Sequence, residues 1–163
     1  MPAMNFEKAV EQTEHLQGCW RPGLQALRDK DKPHVVAEDT RRLTGSVDID
    51  TAYEPVDPNA NRWDFAIAYQ HTNRTAEVVY FIEPHTADDS EVETAIKKAN
   101  WLRQWLRGKG YRLAKFERGD YFYWIASGAT EFTRHSESKR KRMAAAGLKC
   151  VGRKQFSISN TKT

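Results

Sequence analysis

Two acids at matching ends of consecutive apolar segments are the residues best spaced for chemistry. Asp64 lies near the start of Arg62-Trp63-Asp64-Phe65-Ala66-Ile67-Ala68-Tyr69-Gln70, and Glu83 closes Ala76-Glu77-Val78-Val79-Tyr80-Phe81-Ile82-Glu83. Both segments are rich in aromatic and β-branched residues, and the polar link His71-Thr72-Asn73-Arg74-Thr75 between them is short, which predicts an antiparallel hairpin. A register that sets Ala66 opposite Phe81 and Ala68 opposite Val79 also sets Asp64 opposite Glu83, on one side of the sheet, with Cβ atoms about 5 Å apart. Two carboxylates so placed repel each other unless a cation sits between them. A divalent ion with hard oxygen ligands meets that need.

A third segment extends the row. In Thr44 to Tyr53, read as a strand, Asp48 and Asp50 share one face while Val47 and Ile49 share the other. Pairing Asp50 with Asp64 gives the line Asp50, Asp64, Glu83, with Asp48 and His85 at its margins. Each residue also has a plain structural reading. Asp64 caps the start of a strand, Glu83 precedes the Pro84 turn, Asp48 and Asp50 form the polar face of an edge strand, and His85 is a loop histidine.

The elements that must hold these residues follow from periodicity and punctuation. Phe6, Ala9, Val10, Thr13 and Leu16 predict an amphipathic helix over 5–17, ended by Gly18, with a short helical piece through Leu24 and Leu27. A long helix is expected from Ser90 to about Arg107, carrying the stripe Val92, Ala95, Ile96, Ala99, Leu102 and Leu106, with Trp101 and Trp105 beside it. Strands are expected over Tyr111–Phe116 and 120–126. A basic helix over Glu137–Ala146 and a last strand over Leu148–Ile158 come next, then a tail, 159–163, that should fray. The expected fold is therefore one α/β domain, 1–163, with a mixed central sheet flanked by helices. Its core order is α-β-β-β-α-β over about 5–126, and a C-terminal helix–strand appendix occupies 127–158.

Charge divides the chain. Residues 1–100 carry a net −7 and residues 101–163 a net +11. Lys139, Arg140, Lys141, Arg142, Lys149, Arg153 and Lys154 fall in one stretch with no acid among them. Nucleic acid is the natural partner of such a patch, because each phosphate it neutralises releases counterions. A solvated helix face, or a surface that meets an acidic protein partner, fits the same residues. No apolar run is long enough to span a membrane, Met1 to Glu7 does not read as a secretory signal, and Cys19 and Cys150 form no C-x-x-C pair. A reduced, cytoplasmic protein is expected. The chain has no G-x-S-x-G, P-loop or H-E-x-x-H motif, which excludes the commonest hydrolase signatures.

An Asp at the opening of one strand, a Glu two residues before a possible base at the close of the next, a long helix and then another strand together resemble the PD-(D/E)XK nuclease superfamily. The resemblance covers about 5–126. It implies a restriction-endonuclease-like fold and hydrolysis of phosphodiester bonds in DNA or RNA, with Asp64 and Glu83 holding Mg²⁺ or Mn²⁺ and Asp50 or Asp48 as further ligands. Glu83-Pro84-His85 carries His where the family pattern has Lys, and no Pro precedes Asp64. His85 would then take the place of the motif lysine. Lys97 or Lys98, on the following helix, would be the substitute. The family also contains members without catalysis, so a nucleic-acid-binding module on the same scaffold, or an immunity- or antitoxin-like adaptor, stands beside the nuclease as an expectation.

Overall fold

The central strands are apolar on both faces, and both faces are covered. The computed structural model describes residues 4–85, 91–126, 137–152 and 155–163. Its main sheet runs in the order β2 (Leu43–Asp48), β3 (Phe65–Tyr69), β4 (Val78–His85), β6 (Phe122–Ala126), β7 (Leu148–Val151), and the short β5 (Glu117–Arg118) pairs beside β4. The first three strands form an antiparallel meander; β6 and β7 then add in parallel after helical crossovers. Every residue of β3 is buried, as expected of a strand packed on both sides. Helices α1 (Phe6–Gln12), α3 (Val92–Arg107) and α5 (Glu137–Ala145) contribute to a buried cluster with Ala66, Ala68, Val79, Phe81 and Trp124. The other face packs Phe65, Ile67, Tyr80 and Ile82 against a second, two-stranded sheet, β1 (Val35–Ala37) with β8 (Phe156–Ile158).

The hairpin register is the expected one, with Ala66 opposite Phe81 and Ala68 opposite Val79. Several other expectations give way. Helix α1 stops at Gln12, where the Thr13 hydroxyl donates to the Ala9 carbonyl at 2.6 Å and its N–H turns to Val10. The Leu24–Leu27 piece is a run of turns, not a helix. The segment read as one strand to Tyr53 breaks at Asp48, which caps the short helix α2 (Ile49–Tyr53). Tyr111–Phe116 is helical at α4 (Tyr111–Ala114), where the chain turns back at Gly110 to bury Leu113. Ser90, the expected helix start, lies outside the described residues, and α3 begins at Val92. The C-terminal pieces are built in rather than appended, since β7 extends the main sheet and β8 completes the second one. No helix among the described residues is long and apolar enough to cross a membrane. Cys19 and Cys150 are unpaired thiols, and burial pushes Cys150 up to about 12.

The tail does not fray. Asn160 accepts the hydroxyl of buried Tyr69 at 2.6 Å, its N–H donates to Glu38, and its carbonyl receives the Thr72 N–H at 2.8 Å. Beyond it, Lys162 exchanges two hydrogen bonds with the Asn73 side chain. Asn160→Ala removes the acceptor of a buried hydroxyl and is expected to destabilise the protein by about 1–2 kcal/mol, read as a lower midpoint in thermal or urea unfolding.

Candidate active site

Glu83 sits in the interior of β4, opposite the position of Asp64, which lies one residue before β3 begins. There Glu83 takes over part of the ladder, with its Oε1 accepting the Asp64 backbone N–H at 3.0 Å. The Asp64 carbonyl in turn receives the N–H groups of Ile49 at 2.8 Å and Asp50 at 3.3 Å. This ties the start of α2 to the site. Both acids are buried, Glu83 at 1% and Asp64 at 6% exposure. They face the side of the sheet that α3 covers, where Ala66 and Ala68 below and Ala95 and Ala99 above are small enough to let the helix lie close.

Lys98 completes the group. It flanks the apolar stripe of α3 and runs its stem along buried surface, leaving the side chain 16% exposed. Its ammonium lies 2.5 Å from Glu83 Oε2 and 3.7 Å from Asp64 Oδ1. Of the three residues that the sequence offers for a lysine's place, His85, Lys97 and Lys98, it is Lys98 that contacts both acids. His85 turns to Glu91, at 3.5 Å, and packs its ring edge-on to Trp124. Lys97 makes no such contact with the acids.

Two carboxylates and one ammonium leave the buried group one negative charge in excess when all are ionised. Burial pushes the Asp64 carboxyl up, against the pull of Lys98. Burial pushes Glu83 well above the usual carboxylate range, and the neighbouring Asp64 charge adds to this while Lys98 opposes it. Burial alone would lower Lys98, but the two acids outweigh it and its net shift is upward from 10.5. The stabilisation from charged Lys98 is therefore complete below that ordinary value and is lost as pH climbs through the higher folded one.

The expected outer acids are placed differently. Asp48 caps α2, accepting the Thr51 N–H at 2.9 Å and the Thr51 hydroxyl at 2.8 Å. Asp48 pairs with Phe65 in the ladder, and the expected strand pairing of Asp50 with Asp64 gives way to α2. Asp50 holds Arg62 at 2.9 Å and Arg28 at 3.5 Å, although its charge is still felt at Asp64. Arg62 and Arg28 were not foreseen. Arg62 stands two residues from Asp64 in the chain, a signal that was available; Arg28 is brought in only by the fold.

Among the described residues no group of three His, Cys, Asp or Glu side chains is arranged to hold a metal. Two buried carboxylates fit a Mg²⁺-like ion, which takes one or two protein carboxylates and completes its shell with water and substrate phosphate oxygens. Charge balance at the trio is reached either by one retained proton, in keeping with the upward shifts of both carboxyls, or by a bound cation.

The basic residues are carried by other elements than the trio. Lys139, Arg140, Lys141 and Arg142 are on α5; Arg140, Lys141 and Arg142 are exposed, with Arg142 paired to Glu93 and Lys141 to Glu137. Lys149, on β7, lies over the Tyr121 ring at 5.4 Å. Arg153 and Lys154 fall outside the described residues. Comparison with protein-family models, with curated proteins and with solved structures found no match.

Proposed function

We propose that this chain is a divalent-metal-dependent nuclease, hydrolysing phosphodiester bonds in DNA or RNA. The reading rests on one observation above all: Asp64 and Glu83, 19 positions apart in sequence, are buried together and share Lys98. With the short β1, α2, α4 and β5 set aside, the remaining order α1, β2, β3, β4, α3, β6, with β6 parallel to β4, supports a restriction-endonuclease-like reading of the fold. It also supports a PD-(D/E)XK site whose lysine comes from the helix after the second acid.

Asp64 and Glu83 would hold the ion. A bound Mg²⁺ or Mn²⁺ supplies Lewis-acid polarisation of the phosphate and a more acidic bound water. Lys98 is kept protonated by the two acids, so it presents a fixed positive charge where negative charge develops on phosphate oxygens. The covering helix α3 shields the group from bulk water, which strengthens each of these interactions. The deciding assay incubates the protein with plasmid, single-stranded DNA and RNA, with Mg²⁺ or Mn²⁺. Divalent-dependent cutting that is lost in Glu83→Ala supports the reading. No cutting of any substrate, or equal cutting by that variant, rejects it.

A second reading has its own support, since Lys98 already pairs with both acids inside the chain. On that reading the scaffold binds nucleic acid through α5 and does not cut it. The phosphate grip is common to both readings. Arg140→Glu/Lys141→Glu is expected to weaken nucleic-acid binding about tenfold near physiological salt and to flatten its salt dependence, measured by anisotropy across a salt series. Unchanged affinity and slope would remove α5 from the interface.

A further inference from the structure

The hollow beside the trio has chemistry of its own. It encloses about 400 Å³ and is lined by Tyr53 and Asp57 on one side and by Trp101, Gln104, Trp105 and Lys109 on the other. Trp101 and Trp105 lie nearly parallel, 9° apart with ring centroids at 6.1 Å, and Tyr53 meets both edge-on at 5.9 and 5.7 Å. The Trp101 indole N–H donates to the Asp57 carboxylate at 3.0 Å, which fixes the plane of the ring. Trp105 is buried, whereas Trp101 remains partly open.

We infer that this hollow is a nucleobase subsite that takes one unpaired base of a single-stranded nucleic acid, next to the phosphate that Lys98 and a cation on Asp64 and Glu83 would hold. The inference rests on the nuclease reading for its choice of ligand. Trp101 is three residues after Lys98 on α3, so their side chains are neighbours on the helix surface, with Cβ atoms about 5–6 Å apart. Arg62 joins the two places from the other wall, since it holds the Asp50 carboxylate at 2.9 Å and the Asp57 carbonyl at 2.8 Å. A strand whose phosphate sits on the trio therefore has its adjoining nucleotide beside the indoles.

The lining suits a base better than other occupants. Fixed indole rings offer stacking surface to any base, because every base has a π-face. The Gln104 amide and the Asp57 carboxylate give a donor and acceptors for a base edge, and the exposed Lys109 ammonium suits a flanking phosphate. An apolar side chain would leave these polar groups facing nothing. A base inside a duplex is stacked and paired and cannot enter, so the subsite selects single strands or an extruded nucleotide.

The test uses a fluorescein-labelled ten-nucleotide DNA of mixed sequence, a fully abasic strand of equal length and the matching duplex. Each is titrated with Ca²⁺ in place of Mg²⁺, with EDTA as the metal-free control, and followed by anisotropy and by tryptophan emission. Wild type is expected to bind the base-bearing strand about 5- to 100-fold more tightly than the abasic one, with quenched emission. Trp101→Ala should abolish that preference and leave abasic binding unchanged. Because truncating Trp101 risks the fold, Val56→Met, which adds length and no stacking ring, is the companion variant. Val56 is an exposed residue at the rim, and a larger side chain there fills the hollow from outside. Equal affinity for the two strands, or a folded Val56→Met variant that keeps the preference, overturns the subsite. Protein that never cuts yet retains the preference rejects the nuclease and keeps the subsite. Protein that cuts without any preference rejects the subsite alone.

Discussion

Asp64→Asn is expected to lower divalent-dependent cleavage by roughly a thousandfold, the rate equivalent of the several kcal/mol that a Lewis-acid cation contributes. The same change is expected to raise stability above neutral pH. Asp64 is the carboxylate that gives the buried group its excess charge, while the 2.5 Å contact of Lys98 with Glu83 survives its loss. Its folded-state proton affinity lies above the ordinary value of 3.8, first because of burial. A carboxyl shifted upward binds more protons folded than unfolded, so stability falls as pH rises from 3.8 through the folded value. Asparagine removes that loss. The gain should be on the order of 1 kcal/mol at pH 8, about 2–4 °C in Tm, and should vanish below pH 3.8. Paired activity and melting measurements across pH check this. A variant that is inactive because it is unfolded, or active at the wild-type rate, contradicts it.

Lys98→Met should do the opposite to stability. Taking the ammonium away leaves two acids buried with no partner of opposite sign between them, at a cost of about 3–5 kcal/mol. Both carboxyls already sit above their ordinary values through burial, and losing Lys98 raises them further. The destabilisation is therefore greatest where both would be ionised, and it shrinks as acid protonates them. If the acids hold a divalent ion, millimolar Mn²⁺ should restore much of the lost Tm, because an ion bound only by the folded state stabilises it by RT ln(1 + c/Kd), where c is the free Mn²⁺ concentration. Wild type, with Lys98 competing for the same oxygens, should gain less. Equal Mn²⁺ responses in the two proteins, or none in either, would remove the metal from the site. Cleavage should be lost in Lys98→Met even when Mn²⁺ restores its folding.

The meeting of Asp64 and Glu83 was legible because it depends on alternation and a short turn, which are local properties. Asp50 was not. Val47-Asp48-Ile49-Asp50 alternates as a strand should, yet Asp48 caps a five-residue helix through Thr51, and five residues are too few to display a helical period. Tyr111 to Phe116 misled in the same way, since a four-residue helix shows no period and Leu113 is buried in a core shared with residues of α1. Lys98 was visible as a flank of the α3 stripe, but its contact with Glu83 depends on how the crossover lays that helix on the sheet. The polar tail read as loose because its partners, Glu38, Tyr69, Thr72 and Asn73, lie some 90 to 120 positions earlier.

The parallel pairing of β1 with β8 sets an order of events during synthesis. Val35 emerges from the ribosome long before its partner Phe156 exists. The meander can assemble first, because its contacts are nearer in sequence, whereas β1 must wait uncovered for the chain to finish. A product truncated before Phe156 would keep Asp64, Glu83 and Lys98 but leave Val35 and Tyr80 without the neighbour that covers them. Exposed apolar segments of that kind are what quality-control proteases act on, so the unfinished product would be removed before the complete one.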